Sequence, residues 1–380
     1  MDRVNRRNKI LIDANPLVGA KSGVGHFTYR LIESLATAYP EDLDIICYYF
    51  NFGGRKRIGS LPRGKNIYYK EVRFLPTKLI NILHRFKLQL PLEIYLGPLR
   101  HIDRIIFPNF VATPTIAKIP YAVAVHDMSF LDHPEYLTDG NRAYLKLFVP
   151  RSIKNSALVI TISKFTRERI ISAYGATVLK KKILVLPIPY EPKQLSQHVS
   201  ERIIKLKVAP YFLFVGTIEP RKNIANLIRA FELFKQNKHN DTKLIIAGGY
   251  GWKNQEVYSL VANSIHKKDI HFLGYVNDSE RDYLYRNAVA LCLVSHYEGF
   301  GMPILEALHY KKQLILSDIP VFREVAGDNA IYCDPTNLDS IAKALENSLR
   351  QQRKIQPYAS TTWQDNARSL VESLLDIGNA

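Results

Sequence analysis

The stretch Ser295-His-Tyr-Glu-Gly-Phe-Gly-Met-Pro-Ile-Leu-Glu306-Ala-Leu308 follows an uninterrupted apolar run, Ala288–Val294, and leads into a helical pattern. A continuous apolar run of that length is what a strand needs when both of its faces are covered, as in a parallel sheet. Gly299 and Gly301 let the backbone turn sharply and approach a ligand closely, and Pro303 suits the start of a helix. Amides exposed at that start, with the positive end of the helix dipole, favour an anion. Glu298 lies in the turn and Glu306 eight positions later, in the expected first helical turn, so the two carboxylates can address separate parts of one long ligand.

The same strand–turn–helix alternation runs outward in both directions. Further strands are expected at Ile10–Ala14, Asp44–Phe50, Arg104–Phe107, Tyr121–His126 and Ala157–Ser163, then at Tyr211–Gly216, Lys243–Gly248, Ile270–Leu273 and Gln313–Ser317. Amphipathic helices separate them, among them Phe27–Tyr39 and Ile224–Phe234, the latter with Asn223 as its N-cap. This pattern specifies an α/β fold with doubly wound parallel sheets and right-handed crossovers. Pro187, Pro189 and Pro192 interrupt it, which places a linker at Leu186–Ser200. The expected domains are 1–190 and 200–356, with a cleft between them where the carboxyl ends of the strands would present ligands. The tail 357–380 carries only a helical stripe, Trp363, Ala367, Leu370 and Leu374.

Composition narrows the function. The 380 residues are 47% hydrophobic, enough for two cores and against wholesale disorder. No apolar run approaches the ~18 residues of a spanning helix, and the charged N-terminus enters a stretch too short for a signal-peptide core. Cys47, Cys292 and Cys333 are far apart, which excludes a disulfide framework or zinc ribbon and suits a reducing cytoplasm. The net charge of +17 asks for an anionic partner. Twelve Lys/Arg against three Asp/Glu fall between Phe52 and Arg104, so +9 of that charge is one patch.

Three other strand ends carry chemistry. In Val215-Gly-Thr-Ile-Glu-Pro-Arg-Lys-Asn223, Gly216 permits a close turn, and Arg221 and Lys222 place two cations at a helix start, where the dipole disfavours them. A diphosphate would compensate, with Arg as a planar fork and Lys as a point charge. Gly23-Val-Gly25, after the first strand, resembles a dinucleotide fingerprint only in part. Thr28 replaces the third glycine, and Phe50-Asn51 offers no ribose-binding acid, so a flexible loop over a ligand is expected instead of a nicotinamide site. His126-Asp127 ends another strand; an imidazole there suits an acid/base, a metal ligand or an orienting group. A satisfied structural histidine is as good a reading as a functional one, and no second His or Cys stands at metal spacing from it. Asp42-Leu43-Asp44 has the Asp-x-Asp form of metal-dependent sugar-nucleotide enzymes but precedes its strand, so it reads as a solvated turn.

Together, Glu298-x7-Glu306 around Gly-Phe-Gly-Met-Pro, the Gly216…Arg221-Lys222-Asn223 turn, Gly23-Val-Gly25 and His126-Asp127 resemble glycosyltransferase family 4, over nearly the whole chain. The resemblance implies the GT-B fold, with two Rossmann-like domains facing a central cleft and the C-terminal helix crossing back to the first domain. It implies a retaining enzyme that uses a nucleotide-diphosphate sugar and needs no metal or other cofactor. Arg221 and Lys222 would hold the diphosphate and Glu306 the ribose. Glu298 and the turn Gly299, Phe300 and Gly301 would hold the donor sugar, with Gly216, Gly23 and Gly25 near the phosphates and His126 orienting the sugar. The style of the motifs resembles bacterial O-antigen mannosyltransferases, which favours GDP-mannose and a lipid-linked saccharide acceptor.

Transfer leaves an oxocarbenium-like sugar and growing charge on the leaving oxygen, to be met by preorganised cations and amides. Retention without an evident nucleophile implies attack from the leaving-group face, the departing phosphate taking the acceptor's proton. Leu79, Leu83, Phe86 and Leu90, flanked by Lys78, Arg85 and Lys87, fit an interfacial helix on anionic lipid and equally a helix packed on the first sheet. The +9 concentration favours the former, hence a cytoplasmic protein peripheral to the inner membrane face. A sugar-nucleotide epimerase of similar fold is the alternative. A non-catalytic nucleic-acid-binding protein has charge alone in its favour, with no recognition motif, so no nucleic-acid partner is expected.

Overall fold

The computed structural model describes residues 6–19, 23–51, 61–73, 88–175, 178, 181–192, 198–237, 241–350, 354–356, 358 and 361–376. The stripe at 79–86, and with it most of the basic segment's expected helix, lies outside the described residues. The chain divides into two compact units: Met1–Pro189 with Ser360–Ala380, and Tyr190–Ala359.

In unit 1 the strands are β1 (Asn8–Asp13), β2 (Leu43–Phe50), β3 (Ile67–Val72), β4 (Arg104–Phe107), β5 (Tyr121–Ala124), β6 (Leu158–Thr161) and β7 (Lys182–Val185). They form a sheet of order β3-β2-β1-β4-β5-β6-β7, and every pairing is parallel. Helices α1 (Gly23–Ala38), α2 (Asp139–Asn155) and α3 (Lys164–Tyr174) connect strands. Burial explains the uninterrupted apolar runs: all four residues of β6 are buried, with Phe148 and Ile153 of α2 and Ile170 of α3 in the adjoining core. Helix α10 (Trp363–Asp376) also belongs to this unit and packs on α1, its stripe Trp363, Ala367, Leu370 and Leu374 buried. Trp363 meets Phe27 of α1 with ring centroids 5.9 Å apart, and Asn366 Nδ2 donates to the Pro187 carbonyl at 2.8 Å.

Unit 2 holds β8 (Tyr211–Val215), β9 (Lys243–Ala247), β10 (Ile270–Gly274), β11 (Ala290–Leu293), β12 (Gln313–Ser317) and β13 (Ala330–Cys333), in the order β10-β9-β8-β11-β12-β13, again all parallel. Its α-helices of seven residues or more, among the described residues, are α4 (Ile224–Asn237), α5 (Gln255–Asn263), α6 (Asp278–Asn287), α7 (Met302–His309), α8 (Pro320–Ala326) and α9 (Leu338–Arg350). Strands β11 and β12 are buried throughout. All three cysteines are buried and free.

Several expectations need correction. Strands β3, β7 and β13 were not anticipated; all three lie at sheet edges, β3 and β7 are partly exposed and carry charged residues, and β13 is only four residues long. Helix α1 begins at Gly23, so Gly23 and Gly25 belong to its first turn and are not a loop. The buried stripe Phe27, Leu31, Ile32 and Leu35 extends back through a buried Gly25, and Thr28 Oγ1 donates to the Val24 carbonyl at 2.8 Å. Asp44 lies inside β2 and receives Arg7 Nη1 at 3.4 Å, while Asp42 is exposed in the turn before it.

Candidate active site

A doubly wound sheet exposes a crevice where its strand order reverses, beside the carboxyl ends of the two strands that flank the reversal. In unit 2 those strands are β8 and β11, paired with Phe212 opposite Ala290. The turn after β8 carries Arg221 and Lys222, and the turn after β11 carries Glu298. Topology therefore brings together residues 76 or 77 positions apart.

Glu298 is buried, and both of its oxygens are occupied. Oε2 accepts from Arg221 Nη1 at 2.6 Å; Oε1 accepts from Lys222 Nζ at 2.5 Å and from Ser295 Oγ at 2.9 Å. Arg221 also donates from Nη2 to Glu219 Oε1 at 2.7 Å and from Nη1 to the Tyr297 carbonyl at 2.9 Å. Burial pushes the Glu298 carboxyl up, but the adjacent Arg221 and Lys222 outweigh it and hold the pKa at about 2. The group is a fixed negative charge at neutral pH and has no proton to give.

The two cations thus have compensating anions within the chain, Glu298 and Glu219, in addition to the diphosphate that the sequence suggests as their counter-charge. Backbone bonds lace the turns together: His296 N donates to the Arg221 carbonyl at 2.9 Å. Asn223 corrects a second expectation. Its carbonyl takes a helical bond from Leu227 N, but its backbone is left-handed (φ 57°, ψ 34°). Its side-chain amide turns away from the helix, donating to the carbonyls of Val294 at 2.9 Å and Pro335 at 2.7 Å.

Glycine is required at two places in this crevice. Gly301 has φ 105°, and a Cβ there would lie 2.9 Å from Ile304 Cδ1 and 3.0 Å from Phe322 Cε1. A Cβ on Gly248, at the end of β9, would lie 1.8 Å from the Gly216 carbonyl oxygen, so the turn after β8 rests directly on glycine backbone. Gly216 itself stands beside Lys222: a Cβ on it would fall 3.9 Å from Lys222 Cε. Gly299 and Phe300 are buried in the turn that leads to α7.

Glu306 keeps different company. It stands in the second turn of α7, not the first, and Arg281 Nε of α6 approaches its Oε1 at 3.4 Å. In unit 1, His126 follows β5 and is buried between Phe27 and Phe110, with ring centroids 5.1 Å and 5.5 Å away. Its Nε2 lies 2.7 Å from the Pro108 carbonyl. A carbonyl only accepts, so Nε2 carries the proton and Nδ1 is left as the acceptor. Burial lowers the imidazole pKa below its usual 6.5, which keeps the ring neutral at pH 7.

Glu219, Ser295, Arg281 and Tyr285 were not singled out from sequence as site residues. Among the described residues, no group of three or more His, Cys, Asp or Glu is arranged to hold a metal ion, and no helix is long and apolar enough to cross a membrane.

Residues 200–368 match the family model described as glycosyl transferases group 1. The chain is 28% identical over 358 residues to O-antigen chain mannosyltransferase B of Escherichia coli, covering 90% of this chain and 91% of that protein. It is 31% identical over 227 residues to O-antigen chain mannosyltransferase RfbU of Salmonella typhimurium, covering 59% and 60%. It also matches the E. coli serotype-specific mannosyltransferase WbdA at 28% identity over 298 residues, 71% of this chain but only 36% of that longer protein. Sucrose-phosphate synthase from Thermosynechococcus elongatus is structurally similar (TM-score 0.68, 14% identity, 98% of both chains) and shares the GT-B fold of two parallel-sheet Rossmann-like units. The matched residues 200–368, which hold Arg221, Lys222, Glu298 and Glu306, are thus similar to the glycosyl transferases group 1 family model.

Proposed function

We propose that this protein is a retaining, metal-independent hexosyltransferase of glycosyltransferase family 4. In this reading it moves mannose from GDP-mannose to a hydroxyl of a lipid-linked oligosaccharide in surface polysaccharide assembly, at the cytoplasmic face of the membrane. The likeness to proteins named O-antigen mannosyltransferases supports the sugar and the pathway class. The observation that carries the chemistry is the Glu298 carboxylate bridging Arg221 and Lys222 at the β8/β11 strand ends.

A diphosphate entering this crevice competes with Glu298 for the two cations. Arg221 and Lys222 then face the oxygen on which negative charge grows as the sugar departs, a preorganised donor of this kind being worth ~3–4 kcal/mol. Glu298, released from part of its pairing and still ionised, accepts from hydroxyls of the donor sugar. Its ion pairs make it a poor covalent nucleophile, so the acceptor attacks from the leaving-group face and the leaving phosphate takes its proton. His126, neutral and fixed by Pro108, serves in hydrogen bonding and not in proton transfer.

The test is incubation of the full chain with GDP-mannose and a synthetic lipid-linked saccharide, with the product linkage read by NMR. Mannosyl transfer with the donor's anomeric configuration kept is expected. An inverted linkage, or a mass-detected glycosyl–Glu298 adduct, overturns the mechanism. Epimerised sugar nucleotide formed without acceptor overturns the function. A thermal-shift comparison of GDP, UDP and ADP sugars identifies the base, since ligand at 100 times its Kd adds ~2.7 kcal/mol of stability.

A further inference from the structure

We propose that Arg281 and Tyr285 are positioning residues that fix the Glu306 carboxylate so that it accepts from the vicinal hydroxyls of the donor's ribose. The proposal rests on the donor-site reading above. Arg281 and Tyr285 stand four residues apart on α6 and therefore share one helical face. The helix is anchored at its start by a reciprocal cap between Asn277 and Glu280, which fixes where that face points.

Arg281 divides its guanidinium between two carboxylates: Nη2 donates to Asp278 Oδ1 at 2.8 Å, and Nε faces Glu306 Oε1 at 3.4 Å. The fork is thus held from its own helix and directed at α7. Tyr285 is buried, its ring stacked on Tyr310 with centroids 5.8 Å apart and planes inclined by 14°. Its phenol lies beside the same Glu306 carboxylate, yet it completes no hydrogen bond of normal geometry. An unsatisfied buried hydroxyl is costly, and a small rotation of Glu306 toward a ligand lets the phenol donate. One charged and one neutral donor on α6 therefore set the plane of the carboxylate. A carboxylate held in one plane can accept two hydrogen bonds from adjacent hydroxyls of a ring, and a freely rotating one loses that preference.

The test is calorimetric titration of the full chain with GDP and with 2′,3′-dideoxy-GDP, alongside UDP and its dideoxy form if the uridine nucleotide is the one bound. Wild type is expected to prefer the ribonucleotide by roughly 10-fold or more, as befits hydrogen bonds to a charged acceptor. Arg281→Gln, which preserves side-chain bulk, and Tyr285→Phe are each expected to erase most of that preference while leaving dideoxynucleotide affinity within about threefold, and Arg281→Lys to restore part of it. Variants that discriminate as wild type does, or that lose both nucleotides equally while still folded by circular dichroism, overturn the proposal and leave the donor site standing. Failure of wild type to bind any nucleoside diphosphate overturns the donor-site reading itself.

Discussion

Arg221 donates from Nη1 to Oε2 of Glu298 at 2.6 Å, while Lys222 and Ser295 share the other oxygen of the same carboxylate. The consequence is preorganisation. Two long basic side chains, each able to lose up to ~2 kcal/mol of rotamer entropy on immobilisation, are already ordered before any ligand arrives.

Removing one of the cations tests their catalytic use. Lys222→Ala is expected to lower kcat by ~10²-fold or more, the scale of one lost donor to developing negative charge. Turnover close to wild type would remove Lys222 from that role.

The Glu298 ion pairs also make a stability prediction with a definite sign. A carboxyl held at about 2 in the folded protein, against an ordinary 4.5, binds fewer protons folded than unfolded between those values. Its contribution, roughly 3 kcal/mol from the size of the shift, is therefore complete above about pH 4.5 and lost as pH falls toward 2. Glu298→Gln leaves two partly buried cations short of an anion and is expected to cost ~3–5 kcal/mol at pH 7. Denaturant midpoints from pH 7 down to pH 2 should show the gap between the two proteins closing below pH 4.5. A gap that stays constant would mean the carboxyl is not held low.

How much of this was legible beforehand differed by element. Strands covered on both faces, such as β11 and β12, announce themselves as apolar runs, and the segments after β8 and β11 were recognisable as strand-to-helix turns. The edge strand Ile67-Tyr-Tyr-Lys-Glu-Val72 was not, because its exposure alternates and it carries charges. The pairing of Glu298 with Arg221 and Lys222 was hidden for a different reason. It depends on β8 lying beside β11, a neighbour relation between strands that are not consecutive in the chain. The same holds for Arg281 and Glu306, which meet only because α6 and α7 are adjacent in space.

Backbone approach gives an internally controlled substitution pair. Gly248→Ala puts a methyl group into the Gly216 carbonyl and is expected to shift the turn that carries Arg221 and Lys222, with loss of nucleotide binding or of soluble protein. Gly274→Ala, at φ 66° with open space around it, should cost only ~1 kcal/mol from backbone strain. Equal tolerance of both in thermal melts and nucleotide binding would contradict the tight β8–β9 contact.

Helix α10 is expected to be integral to unit 1. Trp363→Ala removes a buried indole packed on Phe27, which itself packs on His126, and should cost ~3–5 kcal/mol in chemical denaturation. A loss under about 1 kcal/mol would show that the helix contributes little to this core.

The proposed mechanism leaves no step to a divalent cation, so transfer is expected to persist after EDTA treatment. A strict requirement for Mg²⁺ would return attention to Asp42 and Asp44.

The central claim, that Arg221 and Lys222 grip the diphosphate of the donor, is met most directly by calorimetric titration of wild type and Lys222→Ala with GDP and UDP in parallel. Binding of at least one nucleotide by wild type, weakened roughly 10- to 100-fold by the substitution, is the expected result. Equal affinity in the two proteins would contradict the claim.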